Sequence, residues 1–465
     1  MRPVILLAVL ALVAGCSAAP AASPSASVSA LPTARSADLQ RVAVALTEDM
    51  EGGNFGTTVA LAGDAIKGKV SESVLAGAFT QVAPVVGTYE AITGSFTASL
   101  PAGDVVYVVA KHSTASLRLL YSFEPGGSKL NGINLNVASE AEIARASGAP
   151  VPTPTFPPTG AHSADAAVAV GEYQLPGVLT TPAAAEKRTI AVVFLWGSGP
   201  QDRDETIGAA GNKPFRDLAD ALAARGITSL RFDKRTKAAP ETFTVGATLD
   251  DEYLEDAAAA VQLLRQRPEL AGYRVFVVGH SLGAMVMPAV LAADSGLAGG
   301  VSLAGSPRSL FDIVHDQTVA LVDASTQTAA EKASAIAKSR QINDALKALT
   351  DAAGAVPAEV AAVYTAPYVV SLNRLDQGGV ARRLTVPLLF CQGEADLQVD
   401  AAADFGAWKT LLADRPNVTF AGYPGLNHLF MQTSGLPIPQ DYDRAGTVAP
   451  AVSADIADWL IAHGG

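Results

Sequence analysis

The feature that most constrains this chain is Gly279-His280-Ser281-Leu282-Gly283, placed directly after the apolar run Arg274 to Val278. In a chain with 41 glycines the bare pattern G-x-S-x-G is a weak signal. Its context is stronger. The preceding run reads as a strand, and Leu282 to Ala293 is compatible with a helix. A tight turn joining them would hold Ser281 in a strained backbone conformation, and glycines on both sides would let helix and strand come close. The helix N-terminus then offers free backbone N–H groups and a positive dipole end beside the serine. Ser281 is the candidate nucleophile. The competing reading is a glycine-rich turn with a buried, inert serine.

A serine hydroxyl is a poor nucleophile without a base. Downstream of Ser281 the histidines are His315, His428 and His463. His463 lies near the C-terminus, and His315 falls in an expected helix. His428 follows the strand-like run Val418–Tyr423, in the loop Pro424 to Phe430. Loops at the carboxyl ends of sheet strands are where open α/β architectures carry their chemistry. The acid should come from the loop after Val386–Cys391, where Glu394, Asp396 and Asp400 compete. Asp396 leads and Glu394 is second. The acid's task is to take the proton on the far nitrogen of His428 and fix its tautomer. Two N–H donors must also meet the developing oxyanion. Leu282, directly after the serine, supplies one. The loop Trp196 to Pro200 supplies the other, through Ser198, with Gly199 as the alternative.

Six strand-like runs, Thr189–Trp196, Thr228–Asp233, Arg274–Gly279, Gly300–Ala304, Val386–Cys391 and Val418–Tyr423, alternate with helical stretches across 165–465. Several are continuously apolar, as expected for strands covered on both faces. Repeated strand–helix–strand units predict a doubly wound, mostly parallel sheet of the α/β class. Residues 307–382 are Ala-rich and too long for a plain crossover, which points to a helical cap over the site. Tyr364, Tyr368 and Leu372 are candidate pocket residues there. Asp202-Arg203-Asp204 and Asp233-Lys234-Arg235 are candidate substrate-orienting clusters, with structural ion pairing the equal alternative.

The rest of the chain divides around this domain. Residues 1–15 read as a lipoprotein signal peptide, with a short basic start, an apolar stretch and Val13-Ala14-Gly15 before Cys16, the expected lipidation site. Residues 16–37 are an Ala/Ser/Pro tether. Residues 38–137 predict a small α+β domain, helix first and then an antiparallel sheet, with Lys111-His112 read as surface decoration. Residues 138–164 are assigned to a Pro-rich linker. The expected location is extracytoplasmic, with membrane contact through the lipid anchor only. The net charge of −12 argues against a nucleic-acid partner. Two cysteines exclude a disulfide framework, and Cys391 reads as a buried, inert thiol. No Cys/His cluster has metal-site spacing, so neither metal nor cofactor is expected.

Several blocks carry a family resemblance: Gly197 to Asp204, Gly211 to Ala219, Arg231 to Arg235, the Ser281 turn, Leu303 to Arg308, and Leu426 to Phe430. Together they resemble the EstD-type bacterial carboxylesterases of the α/β-hydrolase superfamily. The resemblance implies a triad of Ser281, Asp396 and His428 and hydrolysis of short acyl esters. Trp196 departs from the family pattern, in which histidine is common at this place, and its ring is expected to narrow the acyl side of the pocket. Residues 38–137 resemble a small domain of unknown function that precedes such hydrolases. A peptidase or amidase on the same triad, and a non-catalytic surface lipoprotein, are the competing readings.

Overall fold

The computed structural model describes residues 33–149 and 161–464, apart from residues 65, 69, 101–102, 125, 139, 184–186, 209, 325–327, 362, 434 and 436–440. Cys16, the signal peptide and almost all of the tether lie outside the described residues, as do prolines 150–158 of the linker.

The N-terminal part begins with helix Thr33–Glu51, followed by the shorter helices Gly56–Ala60 and Glu72–Val86. Four strands follow: β1 (Tyr89–Leu100), β2 (Gly103–His112), β3 (Ser116–Phe123) and β4 (Leu130–Val137). They pair antiparallel in the order β1-β2-β3-β4. Strict alternation along β3 buries Leu117, Leu119, Tyr121 and Phe123 on one face, against Leu39, Ala43, Leu46 and Met50 of the first helix. The Tyr121 hydroxyl meets Thr47 Oγ1 at 2.7 Å, so the apolar face carries no unsatisfied phenol.

Two expectations fail here. The span 138–164 is not all linker: helix Glu140–Ser147 lies inside it and packs on β1 and β2. Gly94 lets it approach, because a Cβ there would collide with the Ala146 carbonyl. His112 is not surface decoration either. It is 6% exposed, with Nε2 3.3 Å from Glu51 Oε2 and its ring edge-on to Tyr89. Its place at the end of β2, facing the first helix, was invisible to local pattern.

The second part holds β5 (His162–Val170), β6 (Tyr173–Thr181), β7 (Ile190–Leu195), β8 (Thr228–Phe232), β9 (Arg274–His280), β10 (Gly299–Leu303), β11 (Leu388–Gly393) and β12 (Val418–Tyr423). Their spatial order is β12-β11-β10-β9-β7-β8-β6-β5. β7 to β12 are the six expected strands and are mutually parallel. β5 and β6 form an antiparallel hairpin on the β8 edge. That hairpin escaped sequence reading because β5, His-Ser-Ala-Asp-Ala-Ala-Val-Ala-Val, is rich in alanine, which carries little strand signal. β7, β8, β10 and β11 are buried at every residue, which explains their unbroken apolar runs.

The chain runs from β7 outward to β8, then returns to the other side of β7 for β9. The strand order therefore reverses between β7 and β9, and open α/β sheets bind ligands at such a crevice. Between β10 and β11 stand helices Leu310–Ala324, Ala329–Lys347, Ala366–Asn373 and Gln377–Arg383. The last of these packs on helix Leu282–Ala293 and belongs to the layer covering the sheet rather than to a cap. Among the described residues no helix is long and apolar enough to cross a membrane.

Candidate active site

The turn after β9 holds Ser281 at φ 53° and ψ −117°, a conformation that costs a non-glycine residue on the order of 1–3 kcal/mol. Its N–H donates to the Leu303 carbonyl at 2.9 Å, which ties the turn to β10. A Cβ at 279 would strike the Gly283 carbonyl, and one at 283 would strike the carbonyls of Leu195 and Trp196. The two glycines thus let helix Leu282–Ala293 sit against the ends of β9 and β7. The crowding that requires them is the same crowding that strains Ser281.

His428 lies in the loop after β12, 3% exposed, with Nδ1 2.7 Å from Asp396 Oδ2. Asp396 comes from the loop after β11. Its Oδ1 accepts from the N–H groups of Gln398 at 2.7 Å and Val399 at 3.0 Å, and its Oδ2 from Gln392 Nε2 at 2.9 Å. A carboxylate held this way presents one fixed oxygen to the imidazole, leaving Nε2 of His428 as the basic nitrogen. Asn427 braces the loop, accepting from the N–H groups of Leu429 and Met431 and donating to Asp441. Glu394 is exposed, and Asp400 caps a following turn through the Ala403 N–H at 2.6 Å. His315 meets Ser339 Oγ at 3.0 Å between two helices, and His463 meets the Trp459 carbonyl at 2.8 Å.

A family described as serine aminopeptidase S33 matches residues 212–433. Esterase EstD of Thermotoga maritima is 36% identical over 291 residues, which is 62% of this chain. The chain spans 65% of the length of that curated relative. An esterase of Pyrococcus furiosus aligns over 68% of this chain and 97% of its own, at 16% identity and a TM-score of 0.43. A dienelactone hydrolase of Anabaena variabilis aligns over 66% and 100%, at 16% identity and a TM-score of 0.39.

This part of the chain has the α/β-hydrolase fold.

In this domain Ser198 and Leu282 join Ser281 in lining one cavity of about 20 Å³, room for one or two water molecules. Met285, Leu310, Ile313 and Val314 make its wall apolar, and Gln317 and Gln398 add two amides. Helix Leu310–Ala324 is therefore the cap element that reaches the site. Tyr364, Tyr368 and Leu372 do not line the cavity. Tyr364 packs edge-on against Phe311, and the Tyr368 hydroxyl donates to Glu252. Trp196 does not narrow the pocket either. Its indole is fully buried, donates to the Phe232 carbonyl at 2.7 Å and packs edge-on against the Phe232 ring.

Arg203, Asp204, Asp233 and Arg235 of the two charged clusters are engaged in structural ion pairs. Arg203 grips Asp233 with Nε and Nη2 at 2.8 and 2.9 Å, while Asp204 joins Lys213 and Arg231. Arg235 pairs with Asp256 at 2.6 Å. Sequence reasoning missed Glu205 and His280. Glu205 is fully buried at φ 53°, and its Oε1 accepts from the Gly197 N–H at 2.6 Å and faces His280 Nδ1 at 3.0 Å. The one available signal was an acidic residue beside the Gly-Ser-Gly loop, and several neighbours share it.

Proposed function

We propose that this hydrolase is a serine carboxylesterase acting on short-chain acyl esters through an acyl-Ser281 intermediate. The observation that carries the reading is the 2.7 Å contact from Asp396 Oδ2 to His428 Nδ1, in a domain whose strained elbow serine opens on a small apolar cavity. His428 Nε2 takes the Ser281 proton as Oγ attacks the ester carbonyl carbon. The tetrahedral oxyanion then meets the N–H groups of Leu282 and Ser198. Collapse breaks the ester C–O bond, and the proton on His428 goes to the departing alcohol. Water, deprotonated by His428, hydrolyses the acyl-enzyme and returns Ser281. Each oxyanion donor contributes roughly 3–4 kcal/mol to the transition state.

The cavity favours short acyl chains, because it is small and walled by Met285, Leu310, Ile313 and Val314. A second reading, an aminopeptidase, has the name of the matched family in its favour. Such an enzyme needs an acid for the substrate's α-ammonium group, and no Asp or Glu is among the residues lining this cavity. The proposed setting is the outer face of a membrane, with Cys16 lipidated.

Residues 17–465, assayed on p-nitrophenyl esters from acetate to decanoate beside Ser281→Ala, test the reading. Expected are turnover of the shortest esters and a loss of about 10⁴-fold or more in the variant. Equal inertness of both proteins on every ester would mean a binding module or another substrate class. Turnover of aminoacyl anilides in preference to esters would favour the peptidase.

A further inference from the structure

Lys234 follows β8 and is fully buried, which pulls its pKa below the ordinary lysine value, while the neighbouring Glu252 carboxylate favours the charged form. Three oxygens surround its amine: Nζ lies 2.9 Å from the Gly197 carbonyl oxygen, 2.7 Å from the Tyr253 hydroxyl and 2.8 Å from Glu252 Oε1. Glu252 and Tyr253 sit on the widened turn Asp250–Leu254 that opens helix Glu255–Gln266. The Tyr253 hydroxyl donates in turn to Gly197 O at 2.9 Å, with Trp196 O at 3.1 Å. Glu252 also accepts from Tyr368 of helix Ala366–Asn373.

Burying a lysine–glutamate pair commonly stabilises a fold no more than apolar side chains of equal volume would. Stability alone therefore gives no account of Lys234. Its target does. A peptide unit is planar and trans, so the Gly197 C=O and the Ser198 N–H point in opposite directions. Lys234 and Tyr253 draw the carbonyl into the core, and the Ser198 N–H must face the other way. Ser198 is one of the residues that line the cavity with Ser281. The preceding peptide is clamped in the same sense, with its C=O on Tyr253 and its N–H on Glu205. A side chain at 197 has no room to disturb this, since a Cβ would lie 3.0 Å from Glu205 Oε1 and 3.2 Å from Ser281 Cβ.

We infer that Lys234 is a positioning residue for acyl transfer: by holding the Gly197 carbonyl it aims the Ser198 N–H at the oxyanion. The inference rests on the esterase reading, in which Ser198 is the second oxyanion donor. It gives a buried charge pair a task in preorganisation, where donors act only if they are aimed before charge develops.

The test is the double variant Lys234→Met/Glu252→Gln, which keeps side-chain volume and leaves no unpaired buried charge. Near-ultraviolet circular dichroism checks its fold. On p-nitrophenyl acetate kcat is expected to fall about 100-fold with KM within about threefold, because the oxyanion exists only beyond the ground state. A purely structural role would lower the melting temperature and leave that split unmoved. Crystal structures of wild type and variant give a readout free of turnover: the 197–198 peptide should rotate or occupy two orientations. A folded double variant with kcat within threefold of wild type, or with the peptide superposing on wild type, overturns the inference. A wild type that cleaves no ester overturns the esterase reading instead, and the direction of the peptide still decides this one.

Discussion

The imidazole of His280 lies 4.6 Å from that of His428, centroid to centroid, and its Nε2 donates to the His428 main-chain carbonyl at 3.0 Å. A carbonyl only accepts, so Nε2 carries a proton. Nδ1 faces the Glu205 carboxylate, which also receives the Gly197 N–H. One hydrogen-bonded chain thus joins the His428 loop, the turn at Ser281 and the loop at Gly197. Burial works against charge on His280, but the Glu205 carboxylate more than offsets it and raises the pKa above the ordinary histidine value.

Removing one partner of a buried pair leaves the other uncompensated. His280→Ala is expected to destabilise the protein by about 3–5 kcal/mol in urea unfolding. The sign with pH follows from the raised folded-state pKa. The stabilisation is complete below about 6.5 and is lost as pH rises through the folded value. The gap between wild type and variant should therefore be wider at pH 6 than at pH 9. An equal gap at both would show that His280 is uncharged in the fold.

Ile313 belongs to the cap helix and to the cavity wall. Ile313→Ala removes three carbons there, and one methylene in such a pocket is worth roughly 1–3 kcal/mol of discrimination. The ratio of kcat/KM for hexanoate over acetate should rise about tenfold or more. A chain-length profile identical to wild type would place the acyl group elsewhere.

Asp217, in the first turn of helix Pro214–Ala224, accepts the Val448 N–H with Oδ2 at 2.8 Å. Burial pushes its carboxyl up to about 7. The folded state then holds a proton that the unfolded state has released. Stability must fall as pH rises from about 4 to about 7 and level off above. Asp217→Asn keeps the acceptor without the charge and should gain about 1–3 kcal/mol at pH 8, measured by urea titration. Asp256, pushed up to about 6 by burial, leaves a residual slope in the same window. An unchanged slope in the variant would clear Asp217 of the effect.

Cys391 is 2% exposed in the middle of β11, and burial pushes its thiol up to about 12. Thiolate is the reactive form, so Ellman's reagent at pH 8 should leave folded residues 17–465 unlabelled and react once in guanidinium. Fast labelling of the folded protein would mean that β11 opens.

The elbow was legible because it is local. Strand, turn and helix follow each other in sequence, and each glycine answers a collision within a few residues or with the adjacent strand. The six parallel strands were legible because burial on both faces leaves an unbroken apolar run. The β5–β6 hairpin was not, since its alanines carry little strand preference and its pairing with β8 spans about fifty residues. Helix Glu140–Ser147 hid for a related reason: eight residues beside a proline-rich stretch look like linker until a sheet receives them.

Within the site the same division holds. Sequence alone brought out Ser281 and narrowed the base to His428, because turn chemistry and position after a strand are local properties. It left Glu394, Asp396 and Asp400 in competition, since seven positions of loop place three carboxylates in similar sequence surroundings and only the folded loop turns one toward His428 Nδ1. It gave Trp196 to the pocket and left Lys234 between orienting substrate and structural ion pairing. The tertiary structure put both in the interior, because the directions of their side chains are set by β8 and helix Glu255–Gln266, far away in the chain. Local order is written residue by residue through backbone preference and apolar period. The pairing of charges, the aim of a peptide and the wall of a cavity depend on distances between remote segments, and those exist only once the sheet has closed around its core.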